Sequence, residues 1–389
     1  MEVTQIYSIV NSITQEILGD SAVVNEDLSN IVDIGGEIES AKAIDNYVKS
    51  LIDRIGKVVF VNRPYRGSAP SVMMDSWEYG SILEKINMDS FPEAQENDSW
   101  NLVSGQSYDP NVFTAPSVSA KFFNSLNTFE IQMSFAERQV KSAFTSASQL
   151  NSFFSMIETG IENSMTVKLD GLIMSTIRNM IAQTLYDLSS TGVYTSGNNR
   201  AVNLLEIYND KYTDSTLTAA TCYYDPDFIR FCAYYMGIYT SRIGKLSTLF
   251  NVGGKERFTP KDRLHLIMLD EFARGADVYL QSDVYHNDLT KLPKAETVPY
   301  WQGSGTDYAW DSTSSINTTI QVDSSTTATV ATTGIIGVMF DRDALGVTNK
   351  NRRVTSYYNP KGEFYNNWYK FDAGYFNDLN ENFIVFYVA

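Results

Sequence analysis

Few side chains in this sequence have the type and spacing for bond-making chemistry. Its 389 residues include two histidines, His265 and His286, and two cysteines, Cys222 and Cys232. Neither histidine belongs to an array such as H-E-x-x-H, and the cysteines make no C-x-x-C pair, so no zinc-binding spacing is present. His265 falls inside the apolar run Leu264-His265-Leu266-Ile267, a setting for a structural imidazole more than for a base. Cys222 and Cys232 lie ten positions apart in one helical stretch, too far along it for a disulfide, and read as buried free thiols. Gly253-Gly254-Lys255 and Gly244-Lys245-Leu246 look like phosphate loops. Both miss the G-x-x-x-x-G-K-[ST] spacing that lets backbone amides surround a phosphate. Asp341 and Asp343 flank Arg342 and could act as a carboxylate pair, but a turn after a strand accounts for them more simply. No residue here earns a catalytic, cofactor-binding or metal-binding role.

Charge distribution says more. Between 86 and 120 stand the acids Asp89, Glu93, Glu96, Asp98 and Asp109, with no Lys or Arg. Between 349 and 361 stand Lys350, Arg352, Arg353 and Lys361, with no acid. Each run can be a solvated face. The sharper reading sets the acidic stretch of one chain on the basic stretch of a neighbouring copy, fixing its register. The isolated Trp77 and Trp100 join these charges as contact candidates.

Totals narrow the classes. Hydrophobic residues make up 43% and charged ones 20%, which fits globular domains. A net charge of −16 argues against a sequence-specific reader of DNA or RNA, which needs a basic face, and against binding to anionic membranes. No apolar run approaches ~18–20 residues, and Met1-Glu2-Val3-Thr4 lacks a signal-peptide start, so no membrane association is expected. Two unpaired cysteines fit a reducing cytoplasm.

The elements that must carry these residues follow from periodicity. Residues 3–18 place Ile6, Val10, Ile13 and Ile17 on one helical face. A second amphipathic stretch, Ala43–Gly56, runs into the strand Val58-Val59-Phe60-Val61. From 60 to 140 the text is rich in Pro, Gly, Ser and Asn and has no core of its own. Strands at Phe113–Val118 and Thr128–Met133 would make it a long, loosely paired hairpin that needs a neighbouring surface. Ser146 to Leu188 then turns helical, with Leu150, Phe154, Ile157, Ile161, Met165, Leu169, Leu172, Thr176 and Met180 along one face. Gly160 and Gly171 could bend it. Asp225-Pro226 opens another helix. Leu264–Leu269, Ile335–Phe340 and the terminal Phe383–Val388 read as buried strands, and 303–334 as Ser/Thr-rich exposed strands and loops.

In this order, Ser50-Leu51-Ile52-Asp53-Arg54-Ile55-Gly56 with Val58-Val59, then Leu264-His265-Leu266-Ile267, Val338-Met339-Phe340-Asp341, and Asn359-Pro360-Lys361-Gly362 before the aromatic strand Phe364–Phe371, are spread over nearly the whole chain. The chain thereby resembles major capsid proteins of the Hong Kong 97-like fold, closest to the head proteins of Picovirinae-type short-tailed phages. The resemblance implies an α+β fold with an N-terminal arm at 1–57, an extended loop at 58–143 and a peripheral domain with a long spine helix at 144–190. An axial domain at 191–347 and a return to the peripheral domain at 348–389 complete it. It further implies self-assembly into pentamers and hexamers, with no enzymatic activity and no cofactor. The implied partners are a separate scaffolding protein, because the arm is too short to hold a large cleavable scaffold, a portal protein at one vertex, and packaged double-stranded DNA held without sequence specificity. No immunoglobulin-like domain is expected after 389. The implied place is the virion, assembled in the host cytoplasm. The alternative class is another virion part, such as a tail or fibre component.

Overall fold

The computed structural model describes residues 3–18, 69–74, 83–136, 147–188, 200–281, 295–302 and 313–389, with short pieces between 23 and 37 and at 138; single positions 95, 109–110, 112, 114, 215 and 324 are excepted. The expected helix at 43–56, the strand at 57–61, Trp77 and the Ser146 cap lie outside the described residues. Among the described residues the chain is α+β and divides into two compact units: Met1–Glu78, Ser125–Ile173 and Val347–Gly374 in the first, the remainder in the second.

The first unit holds helix α1 (Val3–Leu18) and strands β1 (Met73–Met74) and β4 (Leu126–Ala136). Most of β11 (Leu345–Asn359) and β12 (Phe364–Asn377) belongs to it as well. These form a four-stranded sheet in the order β1-β11-β12-β4. β12 runs antiparallel to β4 from Phe364↔Ala136 to Gly374↔Leu126. Period-two alternation sends Tyr365, Asn367, Tyr369 and Phe371 inward, and Phe371 packs 5.2 Å from Phe129. The turn between β11 and β12 is closed by Asn359, whose Oδ1 accepts from the amides of Lys361 and Gly362 at 3.0 and 3.2 Å.

Helix α2 (Ala147–Leu188) is a single element that contributes residues to both units. The apolar face expected from the sequence is buried at Ile157, Ile161, Met165, Leu169, Leu172, Thr176 and Met180. The helix continues through Gly160 and Gly171. A side chain at 160 would meet Met133 of β4 at 3.1 Å, so this glycine makes room for strand packing. Nothing lies within 4 Å of a side chain placed at 171, and the fold gives no reason for glycine there.

In the second unit β2 (Leu83–Met88) and β3 (Val118–Phe123) form a separate two-stranded sheet. Its core is a five-stranded mixed sheet in the order β5-β13-β10-β6-β7, from β5 (Ala201–Asn203), β6 (Leu264–Leu269), β7 (Glu296–Val298), β10 (Ile335–Asp341) and β13 (Phe383–Tyr387). Every residue of β10 and β13 is buried, so both read as continuous apolar runs without alternation. Helices α3 (Leu204–Lys211) and α5 (Asp270–Gln281) pack on this sheet, and α4 (Pro226–Arg242) packs on both of them, with its Tyr239 5.6 Å from Phe386 of β13. Asp225 caps α4, its Oδ1 accepting from the Phe228 amide at 2.8 Å, with Pro226 in the first turn. Strands β8 (Ile316–Gln321) and β9 (Thr327–Thr332) pair as a threonine-faced hairpin, where the sequence placed exposed strands.

One expectation is corrected. Phe113–Val118 and Thr128–Met133 do not pair with each other. The strand after 113 begins only at Val118, beyond Pro116, and pairs with β2, while Thr128–Met133 belongs to β4 and pairs with β12. Pro116 has no amide to give to a ladder, and β4 meets aromatic partners in β12 that local sequence does not reveal.

Candidate functional site

The candidate site is the root of the β2–β3 hairpin, where it meets the body of the second unit. The ladder runs from Leu83↔Phe123 to Met88↔Val118. Because side chains alternate, Leu83, Lys85, Asn87, Ser119, Lys121 and Phe123 share one face while Glu84, Ile86, Met88, Val118, Ala120 and Phe122 share the other. The face with both lysines lies against the body, where Phe123 packs 5.2 Å from Phe376, and the other points to solvent, with Ile86 66%, Phe122 63% and Val118 56% exposed beside the exposed Glu84.

The body explains the inward charges. After β12 the chain turns through Asp378–Asn382, a turn in which the Asn380 amide donates to Asp378 Oδ1 at 3.1 Å. The Asp378 side chain is fully buried and accepts from Lys85 Nζ at 2.8 Å and from Lys121 Nζ at 3.1 Å. Lys85 also donates to the Asp343 carbonyl at 2.7 Å and lies over the Phe376 ring. Glu381 receives Asn87 Nδ2 at 3.4 Å and sits 3.6 Å from Arg257 Nε. Burial works to raise the Asp378 carboxyl, yet the charge and hydrogen bond of Lys85, with Lys121 and the Asn380 amide, outweigh it and hold it below the ordinary range. Glu381 goes the other way: burial raises it, and Lys85 and Arg257 offset this only in part.

Further out along the hairpin, a second segment of the body takes over. Lys255 pairs with Asp89 at 2.7 Å, Glu256 accepts from the Phe91 amide at 2.7 Å, Arg257 donates to the Met88 carbonyl at 2.8 Å, and Phe258 packs 6.4 Å from Phe91. Hydrogen bonds from Lys255 and Ser119 lower the Asp89 carboxyl. The loop carrying Lys255 is closed on itself by Asn251, whose amide bonds both the N–H and the carbonyl of Lys255. Gly253 donates to the Leu379 carbonyl, and any side chain there would collide with Asn380 Oδ1 at 2.0 Å. Gly254 adopts φ +62°, which favours glycine. The Gly-Gly-Lys motif is therefore a structural loop that aims a lysine at the hairpin.

The other residues with chemical potential have structural partners. Asp341 and Asp343 form the expected turn, with the Asp343 amide on Asp341 Oδ1 and Arg263 paired to Asp343. His265 is half-buried beside Phe340 at 5.8 Å, and burial lowers its pKa. Cys222 and Cys232 are buried free thiols. Among the described residues no group of three or more His, Cys, Asp or Glu could hold a metal ion, and no helix is long and apolar enough to cross a membrane.

The contact candidates take separate places. Asp89 is held by Lys255, whereas Glu93, Glu96 and Trp100 are exposed in the segment joining β2 to β3, Trp100 at 95%. Asp98 begins a short helical turn there. Lys350 and Arg352 lie on β11 with their side chains outside the described residues. Arg353 forks onto both oxygens of Asp372, at 2.6 and 3.2 Å, and Lys361 is exposed in the Asn359 turn. Sequence reasoning missed Lys85, Lys121, Arg257, Asp378 and Glu381. A signal existed in the Lys at alternate positions of two short apolar strands and in the polar Asn377-Asp378-Leu379-Asn380-Glu381-Asn382 between two apolar ones.

Comparison with known proteins places this architecture. Residues 9–387 match the family described as Phi29-like phage major capsid protein. The major capsid protein of Bacillus phage GA-1 is 24% identical over 197 residues, which cover 49% of this chain and 40% of that relative, so the chain spans less than half of its length. Among solved structures, the capsid of Staphylococcus phage Andhra aligns over 84% of this chain and 86% of its own, at 10% identity and a TM-score of 0.45. A chain from the head fibre and inner core protein structure of bacteriophage P68 aligns over 85% and 86%, at 9% identity and a TM-score of 0.42. The resemblance to phage head proteins read from the sequence is borne out at the level of family. With nearly its full length matched by that family, the chain belongs to the Phi29-like phage major capsid proteins.

Proposed function

We propose that this chain is a shell subunit without catalytic activity, many copies of which form pentamers and hexamers around packaged double-stranded DNA. The observation that carries this beyond family membership is the outward face of the hairpin. A monomeric soluble protein seldom leaves much apolar surface bare, and here Ile86, Val118 and Phe122 are exposed together on one face, with Phe113 and Trp100 of the joining segment 88% and 95% exposed. Such a surface suits repeated contact with neighbouring copies. The acidic Glu93 and Glu96 in the segment joining β2 to β3 would steer toward the basic stretch of sequence carrying Lys350, Arg352 and Lys361 on the next subunit. Each subunit makes several weak contacts at once, so closure of the lattice holds the shell. The net charge of −16 suits a container whose wall must not grip DNA phosphates. In this reading 1–57 is the arm, 58–143 the extended loop, 144–190 the spine helix, 191–347 the axial domain and 348–389 the return strands. A separate scaffolding protein acts during assembly in the host cytoplasm, and a portal protein occupies one vertex.

Negative-stain microscopy of the chain produced together with a candidate scaffolding protein tests the reading. Closed shells are expected. Trimers or tubes alone would point to a tail or fibre component, and monomers alone would contradict assembly altogether.

A further inference from the structure

We infer that Asp378 is a positioning residue for assembly: by gripping Lys85 and Lys121 it fixes the rotation of the β2–β3 hairpin and keeps its apolar face turned toward a second copy of the chain. This rests on the shell reading above.

Three features carry it. First, Lys85 and Lys121 are direct partners in the ladder, and like charges opposite each other repel. Leu83, Asn87, Ser119 and Phe123, on the same face, bring no charge to offset them, so the two ammonium groups need a carboxylate while Phe123 packs on Phe376. Second, the alternation leaves no intermediate pose. Turning the hairpin over would bring Ile86 and Phe122 inward and leave Asp378 buried without a counter-charge, and slipping one strand by a residue would turn one of the two lysines away from it. The pose that satisfies Asp378 with both lysines is the one that exposes Ile86, Val118 and Phe122. Third, besides Phe123 on Phe376 and Lys85 near Glu381 at 3.8 Å, the other contacts lie further along the hairpin and hold its length: Glu381 with Asn87, Arg257 with Met88, and Lys255 with Asp89.

The groups facing Asp378 fix the response to pH. Lys85 and Lys121 approach from the hairpin, Glu381 and the Asn380 amide from its own turn, and Arg257 and Asp341 lie around Glu381. A depressed carboxyl contributes stability above its ordinary value and loses it as pH falls through its lowered value. Glu381, being raised, takes up its proton first on acidification, which removes a like charge from beside Asp378. The hairpin should therefore stay seated down to a pH below the ordinary carboxylate range and release only there.

The experiment compares full-length wild type, Asp378→Asn, Asp378→Glu and Lys121→Met. Hydrogen-exchange protection factors for 83–88 and 118–123 are followed between pH 3 and 7, beside microscopy of assembly. In the wild type, protection should hold until strongly acid pH. In Asp378→Asn it should already be at least about tenfold lower at pH 7 and change less with pH than in the wild type, while β10 and β13 keep theirs. Closed shells should give way to irregular assemblies. Asp378→Glu should restore part of both, and Lys121→Met, at a half-exposed position that does not threaten the core, should shift both in the same direction by less. Wild-type protection in Asp378→Asn and Lys121→Met, or normal closed shells despite lost protection, would overturn the inference. Wild-type chain that forms no shells would instead overturn the shell reading, a failure visible without any variant.

Discussion

Lys85 and Lys121 stand directly opposite each other across the β2–β3 ladder, and their ammonium groups settle on different oxygens of the one buried carboxylate, Asp378. The face with the two lysines, which also seats Phe123 on Phe376, is the one that docks, and Ile86, Val118 and Phe122 stay outward beside Glu84. The arrangement leaves those three apolar side chains for contact with other copies.

The exposed apolar residues of the hairpin segment should matter to assembly and hardly to folding. Trp100→Ala and Phe113→Ala remove side chains in solvent, so the unfolding free energy should change by no more than about 0.5 kcal/mol. Shell yield at a fixed protein concentration should fall. Urea titration and sedimentation of assembly products check the two halves separately, and unchanged yield in both variants would count against the hairpin as a contact element.

The basic stretch calls for a selective test. Arg353 is forked onto its own Asp372, so Arg353→Glu sets two carboxylates together and weakens the subunit for an internal reason. Lys361 is exposed, and Lys361→Glu should leave the subunit within about 0.5 kcal/mol of wild type. Assembly of that variant should slow and lose part of its dependence on salt, measured by light scattering across ionic strength.

Gly334 should tolerate no side chain. Its φ is +79°, and a Cβ would lie 2.0 Å from the Val388 carbonyl oxygen. Gly334→Ala should cost about 1 kcal/mol for the left-handed backbone. Displacing Val388, whose amide bonds the Gly334 carbonyl at 2.8 Å, should bring the total to about 2–4 kcal/mol. Chemical denaturation with matched wild type measures this.

Both thiols should be unreactive in the folded chain. Burial pushes Cys222 up to about 11 and raises Cys232 well above its ordinary value. At pH 8, labelling by a thiol-specific disulfide reagent should run roughly a hundredfold slower than in the unfolded chain. The sign for stability follows. A raised thiol favours the neutral folded form, so its contribution is intact below the unfolded value and lost as pH rises toward 11. The unfolding midpoint should therefore drop on the alkaline side.

Much of the body was legible from local pattern. The Asp225-Pro226 cap, the buried run Leu264–Leu269, the terminal Phe383–Tyr387 and the helical face from Ile157 to Met180 each carry their signal within a few residues, and each forms as read. The partner of Thr128–Met133 was not legible, because it lies in β12 and pairing at that separation leaves no trace in either segment alone. The hairpin root was hidden for a related reason. Lys85 and Lys121 look like ordinary surface lysines until Asp378 arrives from the far end of the chain. The Gly253-Gly254-Lys255 motif was visible, but its purpose depends on Asn380 and Asp89, neither of them near it in sequence.

The most direct test is cryo-electron microscopy of assembled shells at a resolution that shows side chains. Ile86, Val118 and Phe122 are predicted to pack on an adjacent subunit while Lys85 and Lys121 stay on Asp378 of their own. Shells in which those three apolar side chains face solvent, or fold back onto their own subunit with the lysines released, would contradict the account.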